Sequence, residues 1–226
     1  MKKDIFIQTK GKQTNEFDSF AGGKPKLPIE ESIPKCTLCS SEQTFFFQVD
    51  FPIGHIWEGF SLAVFACTSC VDEENLIPEM LSVPLKGATI PDNMLINYQT
   101  NFKLLVFPTE RGVIKNTYQE KIKFSRFITG FQPIDSQRFC SFRDTPRWIL
   151  EDECPKEYEN SAMKFLFQVH INLEFPILKS APQQKNVDYG VPWPDMDHYM
   201  LFNQNEIYFF GKERPSNEIY VLTQVD

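Results

Sequence analysis

The segment from Thr44 to Phe51 (TFFFQVDF) alternates Phe45, Phe47, Val49 and Phe51 with Phe46, Gln48 and Asp50. A period of two predicts a half-buried β-strand. Phe60 to Ala66 (FSLAVFA) is a nearly unbroken apolar run, short enough for a buried strand, and the Pro- and Gly-containing stretch from Pro52 to Gly59 joins the two as a hairpin with a long loop. The alternation returns at Lys164 to Leu173 (KFLFQVHINL), with Phe165, Phe167, Val169, Ile171 and Leu173 on one face and Gln168, His170 and Asn172 on the other. Asn101 to Phe107, Glu206 to Phe210 and Glu218 to Gln224 read as further strands, the last two parted by a turn at Arg214 to Asn217. Residues 1–20 are polar and unpatterned and read as including a frayed terminus. Gly22 to Pro28 reads as ordered loop, because two glycines and two prolines break any run of helical hydrogen bonds. Between 71 and 135, Glu73 to Met80 suits a short helical turn, and Lys121 to Phe131 suits strand or helix, which periodicity does not decide. Val187 to His198 reads as an aromatic, proline-rich loop.

The strands FFFQVDF and FLFQVHI superpose in phase. Pro25 and Pro34 are nine apart, as are Pro146 and Pro155, while Gln48 lies fourteen after Pro34 and Gln168 thirteen after Pro155. These spacings predict a duplication. The expected fold is therefore mostly β (α+β), one domain over 1–226, built from two pseudo-symmetric half-repeats of antiparallel sheet at about 20–110 and 140–226 with a zinc-ribbon hairpin in the first. Gln48 and Gln168, equivalent in this scheme, are expected to face each other's copy and bridge backbones. The second half has Cys154 before Pro155 but no Cys-x-x-Cys.

Composition adds three constraints. The 22 Phe and 16 Pro fit aromatic-rich strands with many loop breaks. A formal charge of −7, with no stripe of Lys and Arg, lacks the electrostatic footprint of a nucleic-acid binder, so the expected partner is a protein. Neither a signal-length apolar run after Lys2-Lys3 nor eighteen consecutive apolar residues occurs, so no membrane contact and a cytoplasmic location are expected. In a reducing compartment six cysteines fit ligands or buried thiols better than disulfides.

Four of them form two Cys-x-x-Cys pairs, Cys36/Cys39 and Cys67/Cys70, with 27 residues between. The two-residue spacer lets both thiolates of a pair reach one tetrahedral ion at a Zn–S distance of about 2.3 Å. The intervening residues are the hairpin itself, so both pairs arrive at the same end. Neither pair opens an amphipathic helix, which a thioredoxin-like redox site requires. Four cysteines close the coordination shell, which is the pattern of structural rather than catalytic zinc. Cys140 and Cys154 fit buried or inert thiols.

Catalysis leaves few traces. His55, His170 and His198 are the only histidines, and none lies in an HExxH, GxSxG or deaminase signature. His198 beside Asp195 and Asp197 suits an exposed polar loop, and His170 a surface or groove position. Trp57, Tyr189, Trp193 and Tyr199 suit either an aromatic contact patch or the edge of a core.

In order, GGKPKLP, IPKCTLC, TFFFQVDF and IWEGFSLAVFACTSC resemble the cysteine-knuckle domain of programmed cell death protein 2 and its relatives, over residues 22–70. That resemblance implies that Cys36, Cys39, Cys67 and Cys70 are metal ligands and that the protein escorts a nascent ribosomal protein. Over the whole length, the Gly-x-Pro lead, the Phe-Leu-Phe-Gln strand and the late Tyr-Phe-Phe strand are similar to the YwqG-like family of bacterial proteins. This second resemblance implies a pseudo-symmetric fold of packed sheets and a suspected role in neutralising toxins. The second half departs from the chaperone pattern in lacking a knuckle of its own. The expectation is a non-catalytic protein-binding module with structural Zn2+, a dedicated chaperone or an immunity-type protein. The alternative is an enzyme acting on a small molecule in a cleft between the half-repeats.

Overall fold

The computed structural model describes residues 2–8, 11–70, 75–82, 86–129, 137–185, 187–188, 191–192 and 194–225. The chain is mostly β. Ten strands form one continuous antiparallel path: β1 (Lys2–Gln8), β2 (Phe20–Ala21), β3 (Thr44–Asp50), β4 (Phe60–Ala66), β5 (Phe102–Pro108), β6 (Ser125–Thr129), β7 (Arg138–Arg143), β8 (Ser161–Val169), β9 (Glu206–Lys212) and β10 (Tyr220–Gln224). Their spatial order is β10-β9-β8-β7-β1-β6-β2-β3-β4-β5, and Thr89–Ile90 and Glu157–Tyr158 attach beside β8 to make a twelve-stranded sheet. The α-helix α1 is one turn, Met94–Asn97. Lys121 to Phe131, left open between helix and strand, contains β6, and 130–136 lie outside the described residues, as do 73 and 74 of the expected helical turn.

The frayed end expected within residues 1–20 is not found at Lys2–Gln8, which is a strand. β1 lies at the middle of the path, between β7 and β6, with Ile5 and Phe6 both buried. A register shift between these two residues lets neighbours share the interior, which breaks the alternation that would have marked a strand. Outward from β1 and β6, each side carries four strands in chain order, β2-β3-β4-β5 on one and β7-β8-β9-β10 on the other.

β3 and β8 each contain a bulge at the same place in their Phe-x-Phe-Gln-Val sequence, between Phe45 and Phe47 against β4 and between Phe165 and Phe167 against β9. One extra residue inverts the alternation upstream of it. Phe46 therefore joins Phe47 in the main core, while Phe45 packs with Phe20 and Phe65 in a second cluster on the other face. Every residue of β3 from Thr44 to Val49 is buried, so the strand is covered on both faces rather than half-buried. Gln48 and Gln168 do bridge backbones, each within its own side of the sheet. Gln48 Oε1 accepts from Lys26 N and Gln168 Oε1 from Arg147 N, and each amide donates back to a carbonyl, of Asp18 and Arg147 respectively.

The main core takes aromatic rings from both sides of the path. Phe47 meets Phe139 edge-on at 4.9 Å, Phe51 meets Phe167 at 6.0 Å, and Phe167 stacks on Phe209 at 4.4 Å. Trp57, from the β3–β4 loop, is fully buried against β9, where its indole N–H donates to Lys212 O. A Cβ on Gly211 would lie 2.6 Å from that indole, so β9 is glycine where the ring crosses it. At Gly22, φ is +61° and a Cβ would lie 2.3 Å from Lys123 O, which fixes glycine there as well.

The two edge strands are plugged by side chains. On β5, Leu104 N donates to Gln99 Oε1 (2.8 Å) and Val106 N to Asn217 Oδ1 (2.7 Å). On β10, Val221 donates to and accepts from the Tyr98 hydroxyl (3.1 and 2.7 Å), and Thr223 N points at Met80 Sδ (3.4 Å). Because Asn217 precedes β10 and Gln99 also donates to Asn217 O, the edges of β5 and β10 meet at a side-chain seam. Unplugged edges are templates for pairing with other chains.

Candidate metal centre and polar face

The first knuckle precedes β3 and the second follows β4, whose closing pair is Thr44 with Ala66. At the first, Cys36 N donates to Ser41 O and Ser40 N to Cys36 O, both 2.9 Å, with Ser40 in the left-handed region at φ 61°. At the second, Ser69 N donates to Cys67 Sγ (3.3 Å). These turns aim four sulfurs at one point. Cys36 to Cys70 and Cys39 to Cys67 are 3.6 Å apart, Cys67 to Cys70 is 3.5 Å, and all four lie within 4.8 Å of one another.

A disulfide needs an S–S distance of about 2.05 Å, and all six cysteines are free. A tetrahedral ion with bonds of about 2.3 Å would set sulfurs roughly 3.8 Å apart, so the donor set and its spacing fit a metal ion. Cys36 and Cys67 are buried and Cys39 and Cys70 partly so. The Ser41 hydroxyl and amide pull the Cys39 thiol down to about 6, whereas burial pushes Cys67 up to about 11 and Cys70 higher still. Beyond the sulfurs, the Thr44 and Thr68 hydroxyls hydrogen-bond at 2.7 Å, and the half-buried Lys121 ammonium donates to Thr44 (3.1 Å). Burial pulls the Lys121 pKa down.

A second constellation lies on the other side of the path, and no sequence motif announces it. Ser141 on β7 donates to Asp4 Oδ1 on β1 (2.7 Å) and contacts His170 Nε2 (2.9 Å) just past β8. His170 Nδ1 lies 3.2 Å from Glu206 Oε1 on β9, and Glu206 also accepts from Ile171 N (2.7 Å) and the Gln168 amide. Burial alone would raise the Asp4 carboxyl, but the Ser141 hydrogen bond and the charges of Arg138 and Arg143 outweigh it and hold the pKa below the ordinary carboxylate value. Ser, His and Glu stand in the order of a nucleophilic triad. The proton bookkeeping runs the wrong way for one, because the serine hydrogen is given to Asp4. Ser141 is also fully buried, so the chain ties four strands together and presents no nucleophile. His170, partly buried, is accordingly a member of a polar network.

The other singled-out residues are structural. His55 Nε2 donates to Leu166 O (3.1 Å), its Nδ1 accepts from Trp57 N, and burial pulls its pKa down. His198 faces Asp197 (3.0 Å) and Glu174 (3.7 Å), and Asp195 joins no cluster able to hold a metal among the described residues. Trp57 and Tyr199 are fully buried and belong to the core, while Tyr189 and Trp193 lie outside the described residues. Cys140 is buried, which pushes its thiol pKa up, and Cys154 is partly buried with the same shift. A cleft of about 180 Å³ separates His55 and Ile56 of the β3–β4 loop from Arg143, Lys164 and Phe165. Small-molecule sites usually measure about 300 Å³ or more. No helix among the described residues is long and apolar enough to cross a membrane. Comparison of the chain with protein-family models and with curated proteins returns no match.

Proposed function

We propose that the protein is a non-catalytic protein-binding module whose β3–β4 hairpin is locked by a structural Zn2+ on Cys36, Cys39, Cys67 and Cys70. The observation that carries this reading is the convergence of four sulfurs, 3.5–3.6 Å between neighbours, at the base of that hairpin. Thiolates favour zinc, and four of them leave no open position for substrate. At the far end of the same hairpin, Ile53 and Ile56 are 86% and 48% exposed and offer apolar contact on a loop anchored by Trp57. The matching bulges and Gln bridges of β3 and β8 support the two-half-repeat reading, and with it the YwqG-like resemblance. The partner is a protein, held as a chaperone holds a client or an immunity protein its toxin, in the cytoplasm. The cleft beside His55 is small for the alternative, an enzyme acting on a metabolite.

Two measurements test this. Elemental analysis of protein purified without added metal should find one zinc per chain, and less than a tenth of that would refute the zinc lock. Affinity capture with mass spectrometry should return one stoichiometric protein, reduced by Ile53→Asp. A retained metabolite with no protein would support the enzyme instead.

A further inference from the structure

Four consecutive residues, Tyr98 to Asn101, touch both the cysteine knuckles and the seam between the sheet edges. Thr100 O accepts from the Thr37 amide and hydroxyl, each at 2.9 Å, inside the first knuckle. Asn101 O accepts from the amide of Cys67 itself at 2.7 Å, in the second. The two preceding side chains are the plugs already described, Gln99 on Leu104 N and Tyr98 on Val221. Asn101 Nδ2 adds a bond to Asn75 O (2.6 Å).

We propose that this strap couples metal occupancy to closure of the β5/β10 seam, an inference that rests on the reading of the four cysteines as metal ligands. An ion drawing the thiolates together fixes the amides of Thr37 and Cys67 in space. Those amides hold the carbonyls of Thr100 and Asn101, and the chain connection then sets Tyr98 and Gln99 over the strand edges. Without the ion the knuckles keep only their local turns, the strap loses its anchors, the edge amides of Leu104 and Val221 lose their plugs, and Asn217, which caps Val106 N, loses the Gln99 amide that holds its carbonyl. A plug made of side chains is also reversible in a way that a paired strand is not. Reciprocity requires that weakening the seam weaken metal binding by the same factor.

The test uses the full-length protein. Zinc affinity is measured by competition with a chelating dye for the wild type, Tyr98→Phe, Asn217→Ala and Gln99→Ala, none of which replaces a cysteine or a knuckle residue. The control is Ser141→Ala, which weakens the far side of the sheet. Seam variants should bind zinc about tenfold more weakly and the control as the wild type does. In parallel, hydrogen exchange on the unmodified protein should show Leu104, Val106 and Val221 exchanging at least tenfold faster after zinc removal, with β8 amides unchanged. Wild-type zinc affinity in folded seam variants, or equal exchange with and without zinc, overturns the coupling. A wild-type protein that binds no zinc overturns the metal reading itself, a distinguishable result.

Discussion

β3 and β8 share a sequence, a bulge and a bridging glutamine, yet what surrounds them differs in kind. Around β3 the carboxylate of Asp50 accepts from the Thr109 hydroxyl (2.7 Å), which also meets Ser61 (2.9 Å), and four cysteines converge at the base of the hairpin. Around β8 the corresponding places hold His170 and Glu206, linked through Ser141 to Asp4, and there is no knuckle. The same backbone solution thus stands once beside four cysteines that could hold a metal ion and once beside charged hydrogen bonds. On the proposed metal reading the first fastening should respond to chelators, and the second should respond to acid and to loss of a single buried partner.

The largest effect that would separate the two is expected from Cys67→Ser. Losing a structural metal costs about 4 kcal/mol or more, and hydrogen exchange should show protection lost at residues 34–43 and 67–70 with β8 retained. Equal loss at β8 would break the comparison. Next comes Glu206→Ala, which strands Ile171 N, the Gln168 amide and the His170 ring without their acceptor. A cost of about 3 kcal/mol is expected from chemical denaturation, with metal content at the wild-type level. Gly211→Ala acts on both sides at once, since the added methyl would meet Trp57 at 2.6 Å and Leu166 at 3.1 Å. About 2 kcal/mol should be lost, and Trp57 fluorescence should change with it. The smallest effect concerns Asp4. Its folded pKa lies below the unfolded value, so its contribution is fully present above about pH 4 and disappears as the pH falls through the lower folded value. Asp4→Asn should flatten that acid limb by about 1 kcal/mol or less, and an unchanged acid limb would show that the charges on Arg138 and Arg143 matter little.

Much of this was legible in the chain. The strand run Phe60 to Ala66 is β4 to the residue, and the two FQV strands, the late pair and the mostly-β class were legible too, although β8 runs Ser161–Val169 and stops short of Leu173. Alternation failed where a bulge intervened: Phe46 and Leu166 are extra residues, and β1 hides behind its register shift. Trp57 and Tyr199, open between surface and core, are settled by partners far along the chain. The bond from Trp57 to Lys212 spans 155 positions.

What the sequence determined by itself is whatever depends on neighbours: the two-residue cysteine spacers, the hairpin that returns one pair to the other, and the side-chain period of each strand. Tertiary structure alone decided the central place of β1, the chain from Asp4 through Ser141 and His170 to Glu206, and the strap that reaches from the knuckles to the seam. The members of these assemblies lie on different strands, Asp4 and Ser141 being 137 residues apart, and the chain from Asp4 to Glu206 forms because β1, β7, β8 and β9 are neighbours in the sheet. A spacing can be read from one segment, whereas a hydrogen bond between distant strands has no local trace.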